Sequence, residues 1–363
     1  MLKKKGLSRV AALALAVAVA FGCVSCGNQS AGSSSAGGNT SSSASAGSAS
    51  SQQNQGEAIV LTDQAGREVE LEEPAQTVVS CYYISTYAVI ALGAADRVVG
   101  LEKKAETRPI YGMAAPELLD KPQVGTMKEL DVEATAALNP DLVIMPKKLV
   151  DYADTLTQLG IPVLVVNPES HEELVEMLQL MGTALGVEDR AADLTGYYEE
   201  QLGRMAELTK DLEKPVVYMG SNSSYLATAP ADMYQSTLID LAGGVNAGGE
   251  LEGDYWTDLS YEDVLAMAPE IFVIPAGAEY TAADVQNDPQ LAAVPAVANG
   301  AVYQMPSGIE EWDSPIPSGI LGTMWLTSVL HPEAYPFEDF TADAQAFYQE
   351  FYGFTLEETL ITK

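Results

Sequence analysis

Residues 131–146 read "DVEATAALNPDLVIMP", and residues 260–275 read "SYEDVLAMAPEIFVIP". Overlaid without a gap, they share Glu at the third place, Ala at the seventh, and Pro at the tenth and sixteenth. Between the prolines each copy has an acid followed by four apolar residues. In the first copy Val132 to Leu138 has helical spacing, Asn139-Pro140 breaks it, and Leu142 to Met145 reads as a short buried strand. The second copy repeats that order, so one helix–Pro–strand unit is expected twice.

The flanking sequence extends the match. "TVVSCYY" (77–83) is answered by "PVVYMGSNSSYLAT" (215–228), strand then loop in each case. "VIALGAADRVVG" (89–100) is answered by "LIDLAGGVNAGG" (238–249). Helices alternating with short apolar strands indicate parallel sheets covered on both faces. Ahead of the first copy, "IVLTDQAGREVEL" alternates around Gln64-Ala65-Gly66, a hairpin signal. Ser170 with Glu173 predicts a capping box for a helix from Glu172 to Leu185. Between the two halves, Leu194, Tyr198, Leu202, Met205, Leu208 and Leu212 recur every three or four residues. That predicts one amphipathic helix of about 25 residues, ~37 Å long. The fold class is therefore α/β, with parallel-sheet lobes at 58–187 and 214–363 joined by one long helix at 188–213.

Of the 363 residues 47% are hydrophobic, enough to bury a sizeable core. Lys3, Lys4, Lys5 and Arg9 precede an apolar run from Val10 to Phe21, too short to span a bilayer and typical of an export signal. The run ends in "FGCVSCGNQSAGSSS", which resembles a bacterial lipobox. Residues 1–25 are read as a lipoprotein signal peptide and Cys26 as the lipid anchor, with Cys23 the alternative. An ordinary cleaved signal is the plainer reading. Residues 26–57, rich in Ser and Gly, would be a flexible tether. Only Cys81 lies beyond the anchor region, so no structural disulfide is expected. Acids outnumber bases 51 to 18, a balance that repels nucleic acid. No Lys or Arg stands between Lys214 and Lys363.

Taken in order, "TDQAGREVEL", "VGTMKELDVEATAALNPDLVI", "LGIPVLVV", "LAGGVN", "SYEDVLAMAPEIFVI" and "EWDSP…LGTMWLTSVLHPE" resemble the substrate-binding lipoproteins of ABC importers for iron complexes. That group also includes haem and cobalamin binders. The resemblance implies a ligand cleft between the lobes and a ferric siderophore as the first candidate ligand, with haem or a corrinoid as alternatives. It implies no resident cofactor and no enzymatic activity. The partners would be a permease dimer with its ATPase, at the outer face of the cytoplasmic membrane, with the lipid anchor as the only membrane contact. Permease docking in this family falls on one surface Glu per lobe, here Glu133 and Glu262, although first-turn acids also suit a helix dipole.

Ligands of open α/β sheets bind at the carboxyl ends of strands. That rule nominates Tyr82, Tyr83, Met127, Lys128, Lys147 and Lys148 in the first lobe, and Tyr225, Trp256, Glu310 and Trp312 in the second. Aromatic and long side chains suit a bulky ligand with flat faces. Cys81 is the weakest candidate, since a Cys at a strand end usually packs. Trp312 and Ile316 stand where siderophore binders of the family often carry Arg, so positive charge would come from the first-lobe lysines alone. Two rival readings are a bare transition-metal binder and a cell-surface enzyme. The first would have to use His171 and His331, both with plain helix-end explanations. For the second, no P-loop, GxSxG or HExxH occurs, and Glu310-Glu311 is the one notable acid pair.

Overall fold

The computed structural model describes residues 58–253 and 255–363. The expected signal peptide, Cys23, Cys26 and the tether lie outside the described residues. The chain opens on the hairpin: β1 (Ile59–Thr62) pairs antiparallel with β2 (Glu68–Leu71). Asp63 closes its turn, one carboxylate oxygen accepting from Ala65 N at 3.0 Å and Arg67 N at 2.8 Å. The other oxygen accepts from Val165 N at 3.1 Å, which fastens the hairpin to the first-lobe sheet.

That sheet comprises β3 (Val78–Ser80), β4 (Val98–Glu102), β5 (Gln123–Thr126), β6 (Glu129–Leu130), β7 (Leu142–Pro146) and β8 (Val163–Val166). Its order is β6-β5-β4-β3-β7-β8, parallel except for the β5–β6 pair. Every residue of β7 and β8 is buried, as strands covered on both faces require. The second lobe contributes β9 (Val216–Met219), β10 (Ala227–Thr228), β11 (Val245–Asn246), β12 (Thr257–Asp258), β13 (Ile271–Ile274) and β14 (Val302–Gln304). Here β11-β9-β13-β14 form a parallel sheet, and β10 pairs antiparallel with β12, with one further bridge from Thr228 to Gly220.

The repeated unit occupies the same place in both lobes. A short helix, Val132–Ala137 or Tyr261–Met267, leads into β7 or β13, each the neighbour of its lobe's first sheet strand. Asp131 caps the first helix by accepting from Ala134 N at 2.9 Å. Ser260 caps the second in a reciprocal box with Asp263. The chain then passes through a left-handed residue, Asn139 (φ 47°) or Ala268 (φ 48°), before each proline.

The connecting helix runs Glu188–Thr209, 22 residues. It stops short of the apolar pattern because the chain turns at its end: Leu212 N bonds Thr209 O at 3.0 Å, and Leu212 is exposed. Leu194, Tyr198 and Met205 are fully buried. On the first-lobe side the helix packs against His171–Leu185, where Gly182 permits the approach: a Cβ there would sit 2.5 Å from the Ala191 Cβ. On the second-lobe side the Tyr198 hydroxyl lies 2.9 and 3.1 Å from the carbonyls of Ile316 and Pro317 and accepts from Ile320 N at 3.1 Å. Arg190 reaches both ways, to Ala91 O at 3.2 Å and Glu350 O at 2.6 Å. One hydrophobic cluster therefore runs through both lobes and the helix. The Ser170 cap is half a box: Ser170 Oγ accepts from Glu173 N, but the Glu173 carboxylate accepts from Glu169 N instead of Ser170 N.

Candidate functional site

Where β3 and β4 end, a buried hydroxyl network forms the floor of the first lobe. Ser80 and Ser85 hydroxyls are 2.7 Å apart, and the Thr86 hydroxyl lies 2.8 Å from both Ser80 Oγ and Glu102 Oε2. Tyr111 donates to Glu102 Oε1 at 2.6 Å. Burial raises the Glu102 pKa, and the Tyr111 and Thr86 hydroxyls offset part of that rise.

Four tyrosines stand on this floor edge to face. Ring centroids of Tyr82 and Tyr83 are 5.1 Å apart, and those of Tyr83–Tyr87 and Tyr87–Tyr111 are 5.6 Å apart. The Arg108 guanidinium lies 4.1 Å over the Tyr83 ring, a cation–π contact. Its Nη1 donates at 2.7 Å to Oε1 of Glu311, which belongs to the second lobe. Tyr87 donates to the other oxygen of Glu311 at 3.1 Å. Burial alone would lower the Arg108 pKa, but Tyr87, Glu311 and Tyr83 outweigh it and hold the guanidinium charged. Burial, with Glu311 adding to it, pushes Tyr83 up to about 12, so the ring is a neutral phenol and not a phenolate.

The expected site residues divide into three groups. Tyr82 and Tyr83 are half-buried within the ladder, and Met127 is half-buried beyond β5. Lys128 is exposed in the turn after β5, Lys147 and Lys148 are exposed where they open a 3-10 helix after β7, and none joins an ion pair among the described residues. In the second lobe Tyr225 donates to Asp288 at 3.0 Å, sharing that carboxylate with Tyr261, and Trp256 is half-buried against the main cluster.

The third group is corrected by the structure. Trp312 is fully buried, donates from Nε1 to the Tyr348 hydroxyl at 2.9 Å and meets Phe340 edge to face. Glu310 is also buried, accepting from Tyr348 at 2.7 Å and Tyr352 at 3.1 Å. The segment after β14 folds beneath helix Phe337–Phe351, whose aromatic stripe takes Glu310 and Trp312 inward while Glu311 between them turns to the first lobe. Burial pushes the carboxyls of Glu310 and Asp313 up to about 7.

Arg108 escaped the sequence reading. It sits in "TRPIYG", between a short 3-10 turn and a helix opened by Pro109, where no apolar period marks it. A signal did exist: an Arg beyond the end of a sheet strand, three residues before Tyr111. Cys81 is fully buried, and burial pushes its thiol pKa up, as a packing role requires. His331 Nε2 lies 3.1 Å from Gly243 O. His171 is buried beside Tyr198 and Tyr234, and burial pushes its pKa down to about 4. Among the described residues no group of three or more His, Cys, Asp or Glu is placed to hold a metal ion. Glu133 and Glu262 are both exposed, each at the second position of its lobe's repeated helix.

Sequence and structure comparisons agree with this architecture. The molybdate-binding protein MolA of Haemophilus influenzae is 22% identical over 325 residues, covering 81% of this chain and 90% of its own. A Bacillus subtilis protein described as an uncharacterized ABC transporter substrate-binding lipoprotein, YvrC, is 26% identical over 235 residues, covering 62% of this chain and 72% of its own. A periplasmic solute binding protein from Veillonella parvula shares the fold, with a TM-score of 0.73 at 23% identity, covering 84% of this chain and 95% of that one. The profile of the family described as periplasmic binding protein matches residues 78–308, which takes in both sheets and the helix between them. The chain therefore belongs to the periplasmic binding protein family, the solute-binding components of ABC importers.

Proposed function

We propose that this chain is a lipid-anchored receptor at the outer face of the cytoplasmic membrane. It captures an anionic metal chelate, a ferric siderophore first, and delivers it to an ABC permease. The observation that carries this reading is Arg108 lying on the Tyr83 ring beside Tyr82, Tyr87 and Tyr111. A fixed positive charge among flat aromatic faces suits a bulky anion with apolar surfaces. Lys128, Lys147 and Lys148 add a diffuse positive field at the same strand ends. A second reading, a small oxyanion such as the molybdate named for the Haemophilus relative, is favoured by the convergence of Arg108 and Tyr87 on a single carboxylate.

Titration with ferric siderophores, haem, cobalamin and molybdate, followed by calorimetry, separates the two readings. Arg108→Gln should weaken an anionic ligand at least tenfold and leave a neutral one unchanged. Equal affinity of the wild type and Arg108→Gln for an anionic ligand sinks the assignment. For the anchor, Cys26→Ser should release the protein into the medium and Cys23→Ser should not. The reverse pattern makes Cys23 the lipidated residue.

A further inference from the structure

Glu311 is a point at which the lobes touch through hydrogen bonds. Among the described residues, two side-chain hydrogen bonds run directly from the first lobe to the second, from Tyr87 and from Arg108, and both end on its carboxylate. Arg108–Glu311 is also the one ion pair, among the described residues, that joins residues 58–187 to residues 214–363. Each oxygen takes one donor, a guanidinium N–H at 2.7 Å and a phenol O–H at 3.1 Å. An anionic ligand would compete with Glu311 first for the Arg108 guanidinium, since Tyr87 is fully buried. The pair is accessible to it: the side chains of Arg108 and Glu311 are 24% and 31% exposed, neither sealed nor free.

We propose that Glu311 is an internal competitor for the cleft's anion-binding donors, which an anionic ligand must displace from Arg108 and Tyr87 before it binds. This rests on the reading of Arg108 as the ligand's charge partner. Glu311 then sets specificity by charge. A weakly basic or neutral ligand cannot outbid a carboxylate already held by two donors, whereas a multiply charged anion can. The same displacement breaks the direct ion pair between the lobes while the shared hydrophobic core stays in place, so ligand capture and the Arg108–Glu311 contact exclude one another. The alternative role for an acid in this place, gripping a cationic ligand alongside the tyrosines, predicts the opposite effect of its removal.

Calorimetric titration of wild type, Glu311→Gln, Glu311→Ala and Arg108→Gln with sodium molybdate and with iron(III) citrate tests the proposal. Melting curves of each variant check that it is folded. Both Glu311 variants should bind the better of the two anions about tenfold or more tightly than wild type, and the gain should shrink at high salt. Unchanged or weaker binding by Glu311→Gln overturns the proposal, as does its failure to bind either anion. If the Glu311 variants gain affinity but Arg108→Gln binds like wild type, Arg108 is not the charge partner. The functional reading then fails, and the displacement at Arg108 fails with it. If Arg108→Gln loses binding and the Glu311 variants gain none, only the competitor role falls.

Discussion

Asn139 and Ala268 stand 129 positions apart and hold the same backbone conformation, with φ of 47° and 48°. Each follows the repeated helix and precedes the proline that opens the repeated strand. Asn tolerates the left-handed region because its short amide bonds locally, but Ala meets its full steric cost. Ala268→Gly should therefore stabilise the protein by ~0.5–1 kcal/mol, and Asn139→Ala should destabilise it by a similar amount. Urea midpoints of the two variants check both signs.

Trp312 packs in the second-lobe core and donates to Tyr348. Trp312→Phe removes that donor and leaves unfilled volume, at a cost of ~1–3 kcal/mol in stability. Affinity for the ligand should be unchanged. A variant with weaker binding and an unaltered melting temperature would return Trp312 to the ligand.

Glu310 and Asp313 hold their protons to about pH 7 in the folded protein, against ordinary values of 4.5 and 3.8. Because the folded state binds these protons more tightly than the unfolded chain, their contribution is complete below about pH 4. It is lost as pH rises through about 7. Each group is fully buried, and the loss is on the order of 3 kcal/mol per group. The melting temperature should fall from pH 5 to pH 8, and Glu310→Gln should flatten that slope. A melting temperature that rises over the same range contradicts the assignment.

Glu133→Ala and Glu262→Ala should leave ligand affinity intact and impair uptake through the permease. Since the two acids lie on separate lobes, their effects should be near additive in free energy. Normal transport by the double variant removes the docking role.

Much of the fold was readable in the sequence because it was written twice. The helix–Pro–strand unit survives comparison by eye, and its strand takes the same place in each sheet. The hairpin was readable from Asp63 to Arg67, a local turn. The candidate site was readable only in part. Strand-end reasoning nominates Tyr82 and Tyr83 because they follow β3 after one residue, Cys81. It cannot find Arg108, whose partner Glu311 lies 203 positions away. It places Glu310 and Trp312 wrongly because the burial of that loop depends on a helix formed only later in the chain. The aromatic stripe Phe340, Phe347, Tyr348 and Phe351 was the available hint.

The connecting helix is held on two sides, by the Gly182–Ala191 contact near its start and by the three backbone groups that Tyr198 meets at its middle. Lobes packed on one helix in this way should move little relative to each other. The loss of freedom that accompanies ligand capture in swinging receptors would then be incurred when the chain folds. The heat-capacity change on binding should then come from the surface that the ligand itself covers, with little added by lobe closure. Discrimination between ligands would rest on the side chains that line the gap and hardly at all on how far the lobes travel.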